Sequence, residues 1–346
     1  MVRLSCGVIL AVLAIVASSD WVRLSRAGSQ DAESKPELKV VNTLKIGGEG
    51  RWDDLTVDAA ANRLYVTRGT HLQVIDTNQG TVIGDVTGLQ GCHSAAIVKD
   101  KNLGFVTSGR ENAVAVFDLD TFKVLRKINT PGAGSRNPDA SVYDPASQKV
   151  FVFCAGGDAL VIDPANLDTP PVTITCGGKL EFGRADGAGH VFVNDEDHSQ
   201  VIVIDSKALK VTDKWPLEPV SGPSGLGIDV AHHRLFSVGR NQKMAVLDSD
   251  SGKLLATAPI GKGVDGCAFD PKLGIALSSN GADGTVTAVC ESSPGQFSAV
   301  QTLPTLKTGR TIANDPQTSQ FFIPATIPAE GDNPSQFGVV VVGAAK

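Results

Sequence analysis

The sequence has few aromatic residues and few long apolar segments. Phe, Trp and Tyr make up 5% of the 346 residues, too few for the stacking surface that single-stranded nucleic acid requires. Acidic residues outnumber basic ones by 37 to 31, so no general attraction for nucleic acid or anionic lipid is expected. Beyond the N-terminal segment no apolar stretch approaches the roughly 20 residues of a membrane-spanning helix. We therefore expect no nucleic-acid partner, and no membrane span once that segment is removed.

Familiar catalytic signatures are also missing. The chain has no GxSxG nucleophile elbow, no phosphate loop, no HExxH and no CxxCH, which leaves the common hydrolase, nucleotide, zinc and haem motifs unrepresented. Five cysteines follow the N-terminal segment, and their spacing fits no zinc site: Cys92, Cys154, Cys176, Cys267 and Cys290. We expect buried strand residues, with a disulfide such as Cys154–Cys176 as the alternative in an exported chain.

A hydrophobic triplet ending in aspartate recurs along the chain. Its copies end at Asp76, Asp118, Asp163, Asp205 and Asp248, and a degenerate copy ends at Cys290. The interval of 42 to 45 residues, filled with short apolar runs and turn residues, is typical of a β-propeller with four strands per blade. Asp144, Asp270 and Asp315 precede proline, and Asp58 and Asp229 hold matching places, as expected of turn residues.

The sequence also predicts how the ring closes. Residues 39–47 resemble 253–261, the outer strand of a complete unit. An open ring would expose a sheet edge at each end, so residues 39–47 are predicted to add the outer strand to a last blade built from residues 308–343. The fold class is therefore all-β, a seven-bladed propeller of four-stranded antiparallel blades. The Pro- and Gly-containing insertion Ala325–Gln336 is predicted to be a solvated loop, with a lid over one face as the alternative.

The N-terminal segment has the residue pattern of a secretory signal. Arg3 precedes an apolar run from Cys6 to Ala17, and Ser18 and Ser19 follow, which matches the basic, apolar and small-residue regions of a signal peptide. A short membrane anchor is the alternative reading. We predict a signal peptide over 1–19, a flexible leader over 20–36 and the propeller over 37–346. The mature protein is then expected in the periplasm or outside the cell, as a monomer.

Seven polar residues are predicted to surround one mouth of the central channel. They lie five residues before the turn aspartates or their equivalents, where each inner strand starts: Asp53, His93, Asp139, Glu181, Ser224, Asp265 and Arg310. A water-filled structural channel would explain a polar ring by itself. Clustered carboxylates nevertheless repel one another unless a cation or shared protons offset their charge. Candidate metal ligands are Asp53, Asp139, Glu181 and Asp265, with a divalent cation as the only cofactor that the sequence suggests.

Loops on the same face add further polar groups: Arg51, Trp52, Arg68, Arg110, Asn194, Asp195, Glu196, Arg240 and Asn280. Arginines around an acidic centre suit a polar or zwitterionic ligand, and we add Arg110 and Arg240 to the predicted ligand-binding set. His93 is the candidate catalytic base, with Asp53 or Asp139 orienting it. The other five histidines are predicted to lie in turns or at edges.

The repeat resembles the YVTN family of bacterial β-propellers, the YncE-like proteins. Leu64-Tyr65-Val66-Thr67 and Val74-Ile75-Asp76 carry the resemblance, which extends over residues 38–343, and the segments Gly47–Asp53, Asn137–Ala140 and Val264–Gly266 are similar to those of one exported subfamily. The resemblance implies an exported seven-bladed propeller of WD40/YVTN repeat-like shape. We expect a module that binds a small polar ligand or a periplasmic protein. The alternatives are a metal-assisted, lactonase-like hydrolase or an oxidoreductase at the same mouth, and a purely structural surface protein.

Overall fold

The computed structural model describes residues 37–48 and 50–345, which form seven four-stranded antiparallel sheets. The predicted signal peptide and leader lie outside the described residues. The predicted fold class is confirmed: each sheet is one blade, and every blade except the last is built from four consecutive strands. Within the described residues no helix is long and apolar enough to cross a membrane.

The strands are numbered in chain order, and β1 is Leu38–Lys45. Blade 1 contains β2 (Leu55–Asp58), β3 (Arg63–Thr67), β4 (Leu72–Asp76) and β5 (Thr81–Val86). Blade 2 contains β6 (Cys92–Val98), β7 (Leu103–Ser108), β8 (Ala113–Asp118) and β9 (Val124–Asn129). Blade 3 contains β10 (Pro138–Asp144), β11 (Lys149–Cys154), β12 (Asp158–Ile162) and β13 (Val172–Thr175). Blade 4 contains β14 (Leu180–Ala185), β15 (His190–Asp195), β16 (Gln200–Asp205) and β17 (Lys210–Pro216).

Blade 5 contains β18 (Pro223–Asp229), β19 (Arg234–Gly239), β20 (Lys243–Asp248) and β21 (Leu254–Pro259). Blade 6 contains β22 (Val264–Asp270), β23 (Ile275–Asn280), β24 (Thr285–Ser293) and β25 (Gln296–Pro304). Blade 7 contains β26 (Ala313–Asp315), β27 (Gln320–Ile327) and β28 (Gln336–Ala344), completed by β1. Three short 3-10 turns follow β2, β6 and β7, at Ala59–Ala61, Lys99–Lys101 and Gly109–Glu111.

The N-terminal strand closes the ring as predicted. Strand β1 runs antiparallel to β28, with Leu38 opposite Ala344 and Lys45 opposite Gly338. Leu38 and Leu44 are buried, at 2% and 7% exposure, and they anchor the strand against its neighbours. The first and last parts of the described chain therefore share one sheet, which leaves no blade short of its outer strand.

The recurring triplet is a structural device. Its apolar residues are buried in the third strand of their blades, as with Val74 and Ile75 at 0% exposure. The aspartate ends the strand and turns the chain, since Oδ1 of Asp76 accepts hydrogen bonds from the backbone N–H groups of Asn78 and Gln79, both at 2.8 Å. Asp118, Asp163, Asp205 and Asp248 make the same kind of bond. The turn role predicted for Asp58, Asp144, Asp229, Asp270 and Asp315 is likewise confirmed.

Apolar side chains from neighbouring blades pack into seven clusters that form the core. Phe151 and Phe153 of blade 3, for example, pack with Val191 and Val193 of blade 4. All five cysteines of the described chain are buried, and Cys154 and Cys176 carry free thiols. The predicted burial is confirmed, with four cysteines in strands and Cys176 directly after β13, and the alternative Cys154–Cys176 disulfide is wrong. Burial raises the pKa of Cys267 to about 12, so this thiol stays protonated at neutral pH and is a poor nucleophile.

The predicted insertion is in part a longer hairpin. Strand β27 continues to Ile327 and pairs with β28 from Gln336, so only residues 328–335 form a loop and the predicted loop start at Ala325 is wrong. The loop leans toward the outer strand, where Glu330 Oε2 lies 3.2 Å from Lys45 Nζ.

Candidate functional site

The inner strands change register where the predicted ring residues lie. Pairing of the first with the second strand shifts across His93 in blade 2, Asp139 in blade 3, Glu181 in blade 4, Ser224 in blade 5 and Asp265 in blade 6. A bulge of this kind bends a strand and re-aims the side chain that it carries. In these five blades the site is thus built where regular pairing of the inner strand is interrupted, whereas Asp53 and Arg310 precede the inner strands of blades 1 and 7.

Six of the seven ring residues line one cavity of about 220 Å³, which we call the mouth cavity. The six are Asp53, His93, Asp139, Glu181, Asp265 and Arg310; further lining residues include Arg51, Asp54, Ser94, Lys179, Phe182 and Arg240. No residue of the loop 328–335 lines this cavity, so the alternative of a lid over the mouth finds no support in the described residues. The predicted convergence of charged side chains on the axis is present.

His93 lies between two carboxylates. Its Nδ1 is 2.6 Å from Oδ2 of Asp53 and 3.5 Å from Oδ1 of Asp139. Burial opposes the positive charge of the imidazole, but the hydrogen bond to Asp53 and the charge of Asp139 outweigh it and raise the pKa of His93. Burial also raises the pKa of Asp139, to about 6, even though the His93 charge lowers it. This group of three can therefore hold a proton near neutral pH.

Arg310 joins two other acids of the ring. Its Nη2 lies 3.0 Å from Oδ1 of Asp53, and its Nη1 lies 3.0 Å from Oδ2 of Asp265. Burial nevertheless raises the pKa of Asp265, because the loss of hydration exceeds the favourable effect of Arg310. The guanidinium keeps 41% side-chain exposure, so it also faces the space that a ligand would enter.

A second charged group lies on the blade 4 side of the mouth. Lys179 Nζ is 2.5 Å from both Glu181 Oε1 and Glu196 Oε2, and Arg240 Nε is 2.7 Å from Glu196 Oε1. Burial and the neighbouring carboxyl of Glu196 raise the pKa of Glu181, whereas the pKa of Glu196 is lowered because its hydrogen bonds and the cations outweigh its own burial. The sequence analysis placed Glu196 and Arg240 on this face but missed Lys179.

Two residues of the predicted ligand set lie elsewhere. Ser224 is fully buried, and its Oγ has no hydrogen-bond partner among the described residues. Arg110 is exposed and packs beside Gly91, outside the mouth cavity. Asn194 and Asn280 are fully buried as well; Asn194 Nδ2, for instance, donates to the carbonyl oxygen of Ser224 at 2.9 Å and holds that inner strand. The structure does not bring these four side chains to the mouth cavity.

Arg68 supports the site from behind instead of lining it. Its side chain is fully buried, with its guanidinium carbon 3.7 Å from the centre of the Phe337 ring. It donates hydrogen bonds to the carbonyl oxygens of Gly47, Gly48 and Gly50 at 3.1 to 3.3 Å. This loop leads directly into Arg51 and Asp53. Arg68 is therefore a positioning residue for the mouth, where the sequence analysis expected a rim residue.

Only a glycine fits at the centre of that loop. Gly50 has φ of +102°, and a Cβ placed on it would lie 2.3 Å from the backbone oxygen of Arg68. Both the backbone conformation and the contact exclude a side chain. The adjoining Trp52 packs on Phe337 with 5.4 Å between ring centres, so its ring belongs to the supporting layer and leaves the charged groups to face the cavity.

The candidate metal ligands separate into two groups. Donor atoms of Asp53, His93 and Asp139 all lie within 4.8 Å of one another, which is close enough to surround one ion. The predicted set of four carboxylates does not form such a cluster, because Glu181 is engaged with Lys179 and Asp265 with Arg310. Two carboxylates and one imidazole are a donor set that suits Zn²⁺ and similar divalent ions. These three residues could therefore hold a divalent ion through one nitrogen and two oxygen ligands.

Comparisons with known proteins agree with the architecture. No protein-family model matches the chain. Similar solved structures include hydrazine synthase of Kuenenia stuttgartiensis, with a TM-score of 0.66, 14% identity and coverage of 84% of this chain and 96% of that one. The β-propeller domain of Cps50 (Swd1) from Myceliophteria thermophila has a TM-score of 0.67 and 11% identity, with coverage of 89% of this chain and 100% of that one. A chain of the mitotic checkpoint complex has a TM-score of 0.73 and 12% identity, with coverage of 96% of this chain and 99% of that one. At such identities the likeness defines the class alone, that of the β-propellers.

Proposed function

We propose that this protein is an exported propeller of the YVTN or YncE-like type that binds a small polar ligand at the mouth cavity. The observation that carries the proposal is the convergence of six charged or titratable ring residues on one cavity. A water-filled channel explains polar residues in a ring, but it does not require that six charged or titratable side chains meet at one cavity. The fold itself is one that commonly serves as a binding module.

The ligand class follows from the distribution of charge. Cationic Arg310, Arg240 and Lys179 lie beside acidic Asp53, Asp265 and Glu181 around the same space. A ligand that carries both a carboxylate and an ammonium group can replace parts of these ion pairs with charge-assisted hydrogen bonds of its own. A small zwitterion, such as an amino acid, is therefore the expected class.

Thermal melting with single amino acids tests this proposal. A ligand at about 10 mM that binds only the folded state raises the melting temperature measurably if its Kd is about 1 mM or below. We expect at least one amino acid to stabilise the unmodified protein and the Arg110→Gln variant, whose side chain lies outside the mouth cavity. The same amino acid should lose its effect in Arg240→Gln. No stabilisation by any amino acid, or equal stabilisation of both variants, would count against the proposal.

A metal-dependent hydrolase is the second candidate. It is favoured by one observation, the close approach of the donor atoms of Asp53, His93 and Asp139. These residues would hold the ion, whose chemical contribution is to polarise a substrate carbonyl and to acidify a bound water. Of the chain's own groups, Arg310 would bind an anionic part of the substrate while keeping its ion pair with Oδ1 of Asp53. The hydrogen bond between His93 and Oδ2 of Asp53 would give way to the bonds of both groups to the ion.

Metal analysis of the purified protein separates the two candidates. A hydrolase of this design should retain about one Zn²⁺ or similar ion per chain, and Asp139→Ala should lose it. Asp265→Ala is the matched control, because it removes an acid of the same ring that lies outside the close group. Retention by the control together with loss from Asp139→Ala would justify screening lactones and esters. Equal metal content in both variants, or none in the unmodified protein, would exclude this candidate.

Export is a separate part of the proposal and rests on the N-terminal sequence pattern. We propose cleavage near Ser19 and a monomeric mature protein in the periplasm or outside the cell. Mass spectrometry of the protein recovered from the cell envelope or medium would define its first residue. An intact Met1 on the recovered protein would contradict export with cleavage, and light scattering would test the monomer.

A further inference from the structure

A second cavity opens at the other end of the channel. It has a volume of about 540 Å³, within the range of roughly 300 to 1,000 Å³ that is usual for small-molecule sites. Its walls are the later parts of the inner strands, about four residues beyond the ring, or about 13 Å along a strand. Asp54, which follows the ring residue Asp53, lines both cavities. We call this second space the lower cavity.

The lower cavity has both apolar and polar groups in its wall. Apolar or aromatic side chains immediately precede the turn position in five blades, and polar Asn314 holds the same place in blade 7; the five are Val57, Ile97, Tyr143, Ile228 and Phe269. All five are only partly buried, because each packs between blades on one side and faces the cavity on the other. Partly exposed aliphatic and aromatic groups that face one open cavity favour an apolar ligand body.

The guanidinium of Arg184 lies in the lower cavity. Arg184 of β14 occupies the position two residues before the turn, where the other blades have smaller residues: Thr56, Ala96, Val142, Gly227, Ala268 and Ala313. Its Nη2 reaches a carbonyl oxygen of blade 6, that of Cys267, at a long 3.4 Å, and its Nη1 donates to the carbonyl of Gly183 at 2.9 Å. The side chain therefore extends into the channel through room that the small residues leave.

The charge of Arg184 is not matched by a close acid. No carboxylate of the described residues lies within ion-pair distance of it. Asp54 is near enough to interact with it electrostatically, and Oδ2 of Asp54 accepts a hydrogen bond from Ser94 at 2.8 Å. Asp58, the other acid of the wall, is paired with Lys99. A partly buried guanidinium without a close acid is free to form charge-assisted hydrogen bonds with an anionic ligand.

We propose that the lower cavity binds a small organic monoanion, a carboxylate on a compact apolar body, with its charge on Arg184. The apolar body would contact Ile228 and Phe269, and the carboxylate would accept hydrogen bonds from the guanidinium. The site is independent of the proposed function, since it uses other residues and opens on the other face of the ring.

Phenylacetate and its neutral amide, phenylacetamide, test the proposal by calorimetric titration of the full chain. The two probes have the same body and differ in charge. A charge-assisted contact should make phenylacetate bind at least about tenfold more tightly than the amide. Arg184→Gln should abolish that difference, whereas Arg310→Gln, at the opposite mouth, should leave it unchanged. Equal binding of acid and amide, no binding of the acid at about 10 mM, or loss of the difference in Arg310→Gln instead would overturn the proposal.

Isoleucine methyl resonances provide a test that needs no variant. Phenylacetate should shift the methyl signals of Ile97 and Ile228, which line the lower cavity, and leave those of Ile204 and Ile275, which are buried in blade cores. If Arg184→Gln does not fold, this pattern and the preference for acid over amide decide the matter in the unmodified protein. Shifts at Ile204 or Ile275 without shifts at Ile97 and Ile228 would contradict the site. Amino-acid binding at the mouth would be unaffected by either outcome.

Discussion

Arg310 and Asp53 lie 257 residues apart in the chain and form an ion pair at 3.0 Å. They come from the last and the first blade, so the contact exists only when the propeller is closed. Asp53 is also the residue that holds His93. The charge state of the candidate site is therefore linked to closure of the ring.

His93 is expected to titrate above an ordinary histidine. Asp53→Asn should lower its pKa, because the hydrogen bond to a carboxylate favours the charged imidazole. Since the folded pKa is the higher one, the pair stabilises the fold below about pH 6.5, and this contribution is lost as pH rises through the folded pKa. Imidazole NMR signals followed over pH measure the effect. Asp265→Asn is the control, and an unchanged His93 pKa in Asp53→Asn would contradict the assignment.

Removal of Arg68 is expected to destabilise the protein strongly. Arg68→Met keeps an apolar chain of similar length but leaves the carbonyl oxygens of Gly47, Gly48 and Gly50 without their donor. Hydrogen bonds to a charged group contribute about 1.5 to 3 kcal/mol each to the free energy of unfolding, so we expect a loss of about 3 kcal/mol or more. Urea unfolding provides the measurement. The exposed Arg51 offers a matched control, because Arg51→Met should change stability by no more than about 0.5 kcal/mol; comparable losses in both variants would refute the supporting role of Arg68.

Deletion of the closing strand should open the ring. A chain that lacks residues 1–46 loses the buried side chains of Leu38 and Leu44, each worth about 1.5 to 3 kcal/mol, and exposes the edge of β28. We expect a lower urea midpoint together with association, detected by light scattering, because an unpaired edge recruits other strands. A deletion of residues 1–36 leaves β1 intact and should behave as the full body does. Equal stability of the two truncated proteins would argue against closure by β1.

Asp54 should make stability depend on pH. Burial raises the pKa of this carboxyl to about 7, although Arg184 and Ser94 lower it. The folded pKa exceeds the unfolded one, so the fold is favoured at low pH and loses stability as pH rises from about 4 to 7, by roughly 4 kcal/mol at about 1.4 kcal/mol per pKa unit. Asp54→Asn removes this pH-dependent contribution to stability. The stability of the variant relative to the unmodified protein should therefore increase with pH over that range, as urea unfolding at several pH values would measure; a constant difference would contradict the assignment.

The blades could be predicted from the sequence because the signals that define them are local. An aspartate that accepts from N–H groups two and three residues later needs only its own turn, and Asp76 or Asp144 can be recognised in the sequence for that reason. The ring positions follow by counting from those turns. Closure could be predicted as well, because β1 keeps the pattern of an outer strand.

Side-chain direction could not be predicted in the same way. Arg68, Arg110 and Arg240 each come just after the second strand of a blade and look equivalent in the sequence. Arg240 lines the mouth cavity and Arg110 does not. Arg68 is buried, with its guanidinium bonded to the carbonyl oxygens of Gly47, Gly48 and Gly50. Lys179 was missed because its contacts with Glu181 and Glu196 depend on the bulge in β14. These differences arise from what packs beside each blade.

The seven blades repeat one backbone plan, yet the ring position differs from blade to blade: three aspartates, one glutamate, one histidine, one serine and one arginine. The backbone has approximate sevenfold rotational symmetry, and the side chains that face the axis remove it. Acid and base alternate unevenly around the mouth, with His93 and Arg310 on either side of Asp53. A molecule at the axis would meet seven equivalent backbones but only one rotational setting in which its own charges are matched.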